Sequence, residues 1–274
     1  IRDVCLSRGL GDVYKRQLLL LANRKNFITF NNRYGDNYES FIFKINYYIN
    51  TSISEKQRER IHLDIKLEKL EKNLVAKYQQ CSIKDSSLKR LYKFSTTEIS
   101  DALGGNNVME YTIKPIDSNM RIIGRAFTIQ LPLEDSALTN KAIEQAHSGD
   151  ILVIHTNYSK NRAVWGDVKT LKAMKKGIGG IVVDGAIRDV SRNKELHFPI
   201  FTKYIVPAAS KHVRGGELQI PIICGGVEVN PRDIIMGDEN GVVVIPKERL
   251  NEVIEKASAK LKSDEEKIKK ILAE

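Results

Sequence analysis

The spacing of apolar residues changes character along the chain, and the changes divide it. From Ser54 to about Gln80, Ile61, Ile65, Leu67, Leu70, Leu74 and Val75 recur at helical intervals among Glu and Lys, which predicts an amphipathic helix with a solvated charged face. Residues 23–50 are rich in Asn, Tyr, Phe and Ile without a period, and no element is assigned there. Residues 1–17 share neither the composition nor the periodicity of the rest of the chain, and are read as a non-native segment outside the fold.

From Ser95 onward, short apolar runs alternate with helical stretches. "STTEISDALG" opens with Ser and Thr cap candidates, carries Glu98 in the first turn and stops at Gly104 and Gly105, as a short helix does. "RIIGRAFTIQL" and "GDILVIHT" read as buried strands, with a helix between them in "SALTNKAIEQAHSGD" that ends at Gly149. "GDVKTLKAMKKGIGG" is a further helix running directly into the strand "IVVDG". Shorter strands follow in "FPIFTKY", "IPIICGGVEV" and "NGVVVIP", and a long helix or helix pair closes the chain. The pattern predicts an α/β domain over 90–274, its mixed sheet covered on both faces, preceded by a partly helical extension over 18–89. The strands are too few and too irregular for a barrel of eight repeats.

Composition changes this picture little: 274 residues, 42% hydrophobic and 28% charged, suit a globular chain. Charge changes it more. The net charge of +10 raises the question of nucleic acid. Residues 1–94, however, hold 19 Lys and Arg against 10 Asp and Glu, whereas residues 95–274 hold 25 against 24. The α/β domain is nearly neutral, which argues against a phosphate-tracking surface. Cys5, Cys81 and Cys224 form no CxxC pair, so neither a disulfide framework nor a zinc site is expected, and Cys224 reads as core. The longest leucine run, Leu18 to Ala22, is far short of a membrane span, and a cytoplasmic location is expected.

Candidate chemistry gathers after "IVV", where Asp184 to Asp189 would lie past the carboxyl end of a strand, the usual place for a site in an open α/β sheet. Arg188 can hold a planar carboxylate by two parallel hydrogen bonds, and Asp189 can hold a hard divalent cation. Taken alone, the pair also fits a structural ion pair. Asp167 precedes Arg188 by one helix and one strand, a length that returns the chain to the same sheet edge. The helix N-terminus there offers backbone N–H groups at Val168 and Lys169 to an anion, while Asp167 fits an N-cap role as well as a chemical one. The side chains of Lys169, Lys172, Lys175 and Lys176 read as solvated. His147, His155, His197 and His212 show no metal-ligand spacing, the paired glycines at 215–216 and 225–226 and "GDENG" read as turns, and Trp165 is equally consistent with lining the site or packing.

Over residues 90–250 these motifs, including "STTEISDALG", "AVWGDVKTLKAMKKGIGGIVVDGAIRD" and "PIICGGVEVNPRDIIMGDENGVVVIP", resemble the aldolase-like family that groups the regulator of ribonuclease activity A with 4-hydroxy-4-methyl-2-oxoglutarate aldolase. The resemblance implies a compact α/β/β/α sandwich of the swivelling β/β/α type, working as a homotrimer or hexamer with sites between subunits. It implies a Mg²⁺- or Mn²⁺-dependent lyase that cleaves a 4-hydroxy-2-oxo diacid to pyruvate and decarboxylates oxaloacetate. Arg188 would bind the pyruvyl carboxylate, Asp189 would anchor the metal largely through water, and Asp167 would position a proton-carrying water. Glu266 or Glu265 would supply a further acid from a neighbouring subunit. "LPLEDSALTNKA" departs from the family's Gly-Asp-Asn pattern and keeps only Asp135, which points to altered substrate selection. The rival expectation is a non-catalytic regulator that binds a ribonuclease or another protein. A methyltransferase is disfavoured, because no strand is followed by a GxGxxG loop.

Overall fold

The computed structural model describes residues 55–79, 87–211 and 215–273. The readings of residues 1–17 and 23–50, of Cys5 and Cys81, and of His212 lie outside them. The chain forms two compact units, Ile1–Asn73 and Leu74–Glu274. Helix α1 (Glu55–Gln79) forms where the helical spacing of apolar residues places it. Its end, Leu74, Val75 and Tyr78, packs on the core of the larger unit, whereas Leu63, Leu67 and Leu70 are each more than half exposed.

In the larger unit a 3₁₀ turn (Lys89–Lys93) leads into α2 (Thr96–Ala102), whose capping box joins Ser95 and Glu98 as the sequence pattern predicts. Then come β1 (Lys114–Pro115), β2 (Ile122–Gln130), α3 (Leu138–Gln145), β3 (Ile151–His155), β4 (Ala163–Trp165), α4 (Asp167–Lys176) and β5 (Gly180–Ile187). The remainder is α5 (Val190–Glu195), β6 (Ile200–Ile205), β7 (Glu217–Leu218), β8 (Ile222–Cys224), β9 (Val227–Val229), β10 (Ile234–Asp238), β11 (Gly241–Ile245) and α6 (Leu250–Ala273). Nine strands make one mixed sheet in the order β1-β6-β5-β3-β2-β10-β11, with β4 on β5 and β7 on β2, while β8 and β9 form a separate hairpin. The central strands β2, β3, β5 and β6 run parallel, and the inner two, β3 and β5, are buried along their whole length and mostly apolar, as strands covered on both faces must be.

Alternation along these strands divides the core into layers. Ile181 and Val183 of β5 face one way with Leu152, Ile154 and the helices α3 and α4. Val182 faces the other way and shares a cluster with Val153, Phe201, Ile235, Val242 and Val244, so the β10–β11 arm folds over the parallel arm. The outer face of β10–β11, through Met236 and Val243, packs on α2 and the first half of α6. The result is the expected α/β/β/α order, with the sheet nearly closed where Lys114 of β1 donates to the Asn240 carbonyl in the β10–β11 turn.

Three local expectations are corrected. Helix α3 stops at Gln145 instead of reaching Gly149, because Asp150 accepts the His147 N–H at 2.9 Å and holds the intervening residues in a turn. Strands β1, β4, β7 and β10 add to those expected; each is short, and no alternation of polar positions marks it. "IPIICGGVEV" folds as the two strands β8 and β9. Strand β5 continues four residues past Val183, so Asp184 lies within the sheet and not beyond it. The Asp184 carboxylate accepts the Gly225 N–H at 2.9 Å and ties the β8–β9 hairpin to the sheet. The terminal segment is a single helix of 24 residues, the first of the two forms expected.

Candidate active site

Arg188 and Asp189 follow directly on β5, and the turn they form is held from beneath by a buried polar relay. Trp165 Nε1 donates to Thr170 Oγ1 (2.8 Å), Thr170 donates to Asn193 Oδ1 (2.7 Å), and Asn193 Nδ2 donates to the Arg188 carbonyl (2.9 Å). Thr170 and Asn193 are fully buried, so each bond is made where an unpaired polar group would be costly. Trp165 thus does both things its sequence context allowed: it stacks on Phe198 in the core and lines the cleft above. Asp189 caps α5 with φ +57° and ψ +40°, a left-handed conformation that Asp tolerates better than most residues.

Asp167 reaches the same place by the route expected, since β4 lies beside β5 and α4 starts immediately after it. Gly166, not Asp167, is the N-cap of α4. A Cβ on Gly166 would lie 2.4 Å from Asp189 Oδ2, so glycine is what allows the carboxylate to sit against the helix start. Asp189 Oδ2 accepts from the Asp167 N–H at 3.4 Å and lies 3.3 Å from Arg188 Nε. Among the described residues, the guanidinium's two terminal nitrogens and Asp189 Oδ1 are left without partners.

Two of the expected groups behave differently. The Val168 N–H is taken by Asp167 Oδ1 at 2.7 Å, which leaves the Lys169 N–H as the open amide of the pair. The Lys169 side chain is not solvated: its Nζ donates to the Val164 carbonyl (2.6 Å) and the Ser136 carbonyl (3.4 Å). Burial, then the neighbouring charges of Lys172 and Arg188, push its ammonium down to about 8, against a smaller opposing pull from Asp135. Lys172, Lys175 and Lys176 are exposed as expected.

A cleft of about 230 Å³ joins these parts. Its lining includes Asp167, Val168, Arg188 and Asp189 together with Ser136, Asn140, Lys169, Lys172 and Ser210. Sequence reasoning missed Ser136 and Ser210, which are 74 positions apart yet share a 2.6 Å hydrogen bond through the bridge of Asp135 with Lys211. No local signal marks such a pair. Thr170 carries one: a hydroxyl residue on the inward face of a helix needs a buried partner. Asp135 itself holds the Ala137 N–H at 2.6 Å inside this turn. Glu265 and Glu266 lie on the exposed second half of α6 and do not line the cleft of their own chain.

The donor set bears on a metal. Among the described residues no three His, Cys, Asp or Glu side chains converge as a ligand group, which excludes a closed zinc-type cage there. One free carboxylate oxygen at Asp189, with Asp167 beside it, fits a hard cation that keeps most of its water, as Mg²⁺ does. The buried Cys224 thiol is pushed well up by desolvation and is an inert part of the core. No helix among the described residues is long and apolar enough to cross a membrane.

Known proteins are similar to this chain in sequence and in fold. A protein of Halalkalibacterium halodurans, named as a candidate 4-hydroxy-4-methyl-2-oxoglutarate aldolase, is 44% identical over 170 residues, covering 62% of this chain and 81% of its own. The 4-hydroxy-4-methyl-2-oxoglutarate aldolase of Thermus thermophilus is 30% identical over 151 residues, covering 55% and 92%. The structure of the RNA-processing inhibitor RraA from Thermus thermophilus superposes with a TM-score of 0.52 at 29% identity, covering 56% of this chain and 93% of that one. The RraA-like family model, described as Aldolase/RraA, matches residues 96–244, more than half of the chain, and the chain belongs to that family.

Proposed function

We propose that the chain is a divalent-metal-dependent lyase that cleaves 4-hydroxy-2-oxo diacids to pyruvate and decarboxylates oxaloacetate. One observation carries the reading: Arg188, Asp189 and the Asp167 end of α4 share one cleft, with the guanidinium's outer edge and one carboxylate oxygen left open. A binding surface alone has no need of that set. The relatives named as aldolases support the same reading.

In this account Arg188 grips the pyruvyl carboxylate through its two terminal nitrogens, and the Lys169 N–H faces the same anion. Asp167 holds a water that takes the proton from the C4 hydroxyl. As that proton leaves, C4 becomes a carbonyl, the C3–C4 bond breaks, and its electron pair stays on C3 and C2 as the pyruvate enolate, which is then protonated at C3. A Mg²⁺ or Mn²⁺ held by Asp189 would supply positive charge next to the developing enolate. Loss of carbon dioxide from oxaloacetate leaves the same enolate, so one site serves both reactions.

The test is pyruvate release from a panel of 4-hydroxy-2-oxo acids and oxaloacetate, with Mg²⁺ and with EDTA. Metal-stimulated release from at least one diacid is the expected result. The name of the Thermus thermophilus neighbour favours a second reading, a protein-binding regulator of RNA processing. That reading predicts no pyruvate from any substrate and metal-independent inhibition of a ribonuclease.

A further inference from the structure

The relay beneath the Arg188–Asp189 turn has a direction, set by side chains that take no part in the chemistry above them. An indole N–H can only donate and a backbone carbonyl can only accept, so Trp165 Nε1 at one end and the Arg188 carbonyl at the other allow one arrangement between them. Thr170 accepts from Trp165 and donates to Asn193 Oδ1, which turns Asn193 Nδ2 toward the Arg188 carbonyl. The reversed amide would set two oxygens against each other where Thr170 and Asn193 are fully buried. Trp165 also holds the other backbone group of Arg188, since its carbonyl accepts the Arg188 N–H at 3.0 Å.

Asn193 does more than end the relay. Its own N–H donates to the Asp189 carbonyl at 2.9 Å, so one residue grips the carbonyls on both sides of the Asp189 Cα: that of Arg188 through its side chain, that of Asp189 through its backbone. The two peptide planes so held are the ones whose rotation defines φ and ψ of Asp189. Those angles are +57° and +40°, in the small left-handed region that residues other than glycine seldom occupy.

We infer that Asn193, oriented by Thr170 and Trp165, is a positioning residue of the site: it pins Asp189 in its left-handed conformation and so aims the Asp189 carboxylate and the Arg188 side chain at one bound keto acid. This rests on the lyase reading and adds to it. The long Arg188 side chain can follow a shifted turn, whereas the short Asp189 side chain cannot. Loosening the turn therefore lowers kcat more than it raises KM.

The test compares the full wild-type chain with Thr170→Val, Thr170→Ser and Asn193→Leu at fixed Mg²⁺, well below each melting temperature. In Thr170→Val and Asn193→Leu, kcat for pyruvate release from oxaloacetate is expected to fall by roughly tenfold or more, with KM changed by less than about threefold. Thr170→Ser keeps the hydroxyl and recovers most of the loss. Calorimetry with oxalate, a planar mimic of the pyruvate enolate, reads the site without turnover. Oxalate affinity falls about tenfold in the same two variants, because the mimic depends on the aim that the transition state needs. Its stoichiometry stays that of wild type, which a mere loss of folded protein would lower. Trp165 is the single tryptophan of the chain, and its emission moves to shorter wavelength in Thr170→Val as its N–H loses an acceptor. Substitution at two positions keeps the test decisive if one variant fails to fold. Folded variants with wild-type kcat and oxalate affinity, or a loss that Thr170→Ser does not reverse, overturn the positioning role and spare the lyase. Wild type that releases no pyruvate, with oxalate affinity still falling in the variants, overturns the lyase and spares the positioning role. Wild type that neither releases pyruvate nor binds oxalate overturns both.

Discussion

At the scale of single residues, Lys169 is the least expected member of the site and the most informative to titrate. Its folded-state value, lowered from 10.5 to about 8, means that the folded protein gives up this proton before the unfolded chain does. Below about pH 8 both states carry it and the fold bears the full penalty. Between about 8 and 10.5 the unfolded chain binds more protons, so the contribution of this group to stability rises with pH. The unfolding free energy of wild type minus that of Lys169→Met is therefore expected to climb across that window by on the order of 2–3 kcal/mol. Denaturant melts at several pH values measure it, and a flat difference would show the ammonium to be freely solvated. The sequence could not disclose this, because helical spacing assigns Lys169 to α4 without saying that the Val164 and Ser136 carbonyls close over it. Arg188 and Asp189 were legible for the opposite reason: adjacent, at a strand end, and one helix and one strand from Asp167.

At the scale of elements, the site depends on α4 beginning flush against the β5–α5 turn. Gly166 makes that contact possible, and its backbone is extended at φ −157°, which any residue can adopt. Gly166→Ala should therefore fold normally while displacing the Asp189 carboxylate, and a fall of roughly ten- to a hundredfold in kcat/KM is expected at nearly unchanged melting temperature. Wild-type kinetics in this variant would mean that the carboxylate position does not matter. Strands β3 and β5 could be read from the sequence because their apolar runs, Ile151 to Ile154 and Ile181 to Val183, are continuous. Strand β4 could not, since three residues that pair along a bulged register leave no period to detect. The turn holding Ser136 beside Ser210 is likewise a product of tertiary pairing.

At the scale of the whole molecule, the cleft is lined by no third carboxylate among the described residues, and the apolar side chains in the second half of α6 stay exposed among them. Ile268, Ile271 and Leu272 are 55–80% exposed there, next to Glu265 and Glu266. We propose that a homotrimer, as the family resemblance implies, brings this end to a neighbouring cleft, which would account for both features. Subunits carrying Asp189→Ala, mixed under exchange with subunits carrying Glu265→Ala and Glu266→Ala, should recover activity that neither has alone, because a mixed assembly rebuilds an intact site. Mixed assemblies confirmed by mass yet inactive would return those acids to the solvated face. The central claim, that the Arg188–Asp189 turn is a metal-assisted keto-acid site, is tested most directly by pyruvate release from Asp189→Ala and wild type over a Mg²⁺ titration. The account predicts metal-stimulated release in wild type and none in a folded variant; equal release from both at every Mg²⁺ concentration would contradict it.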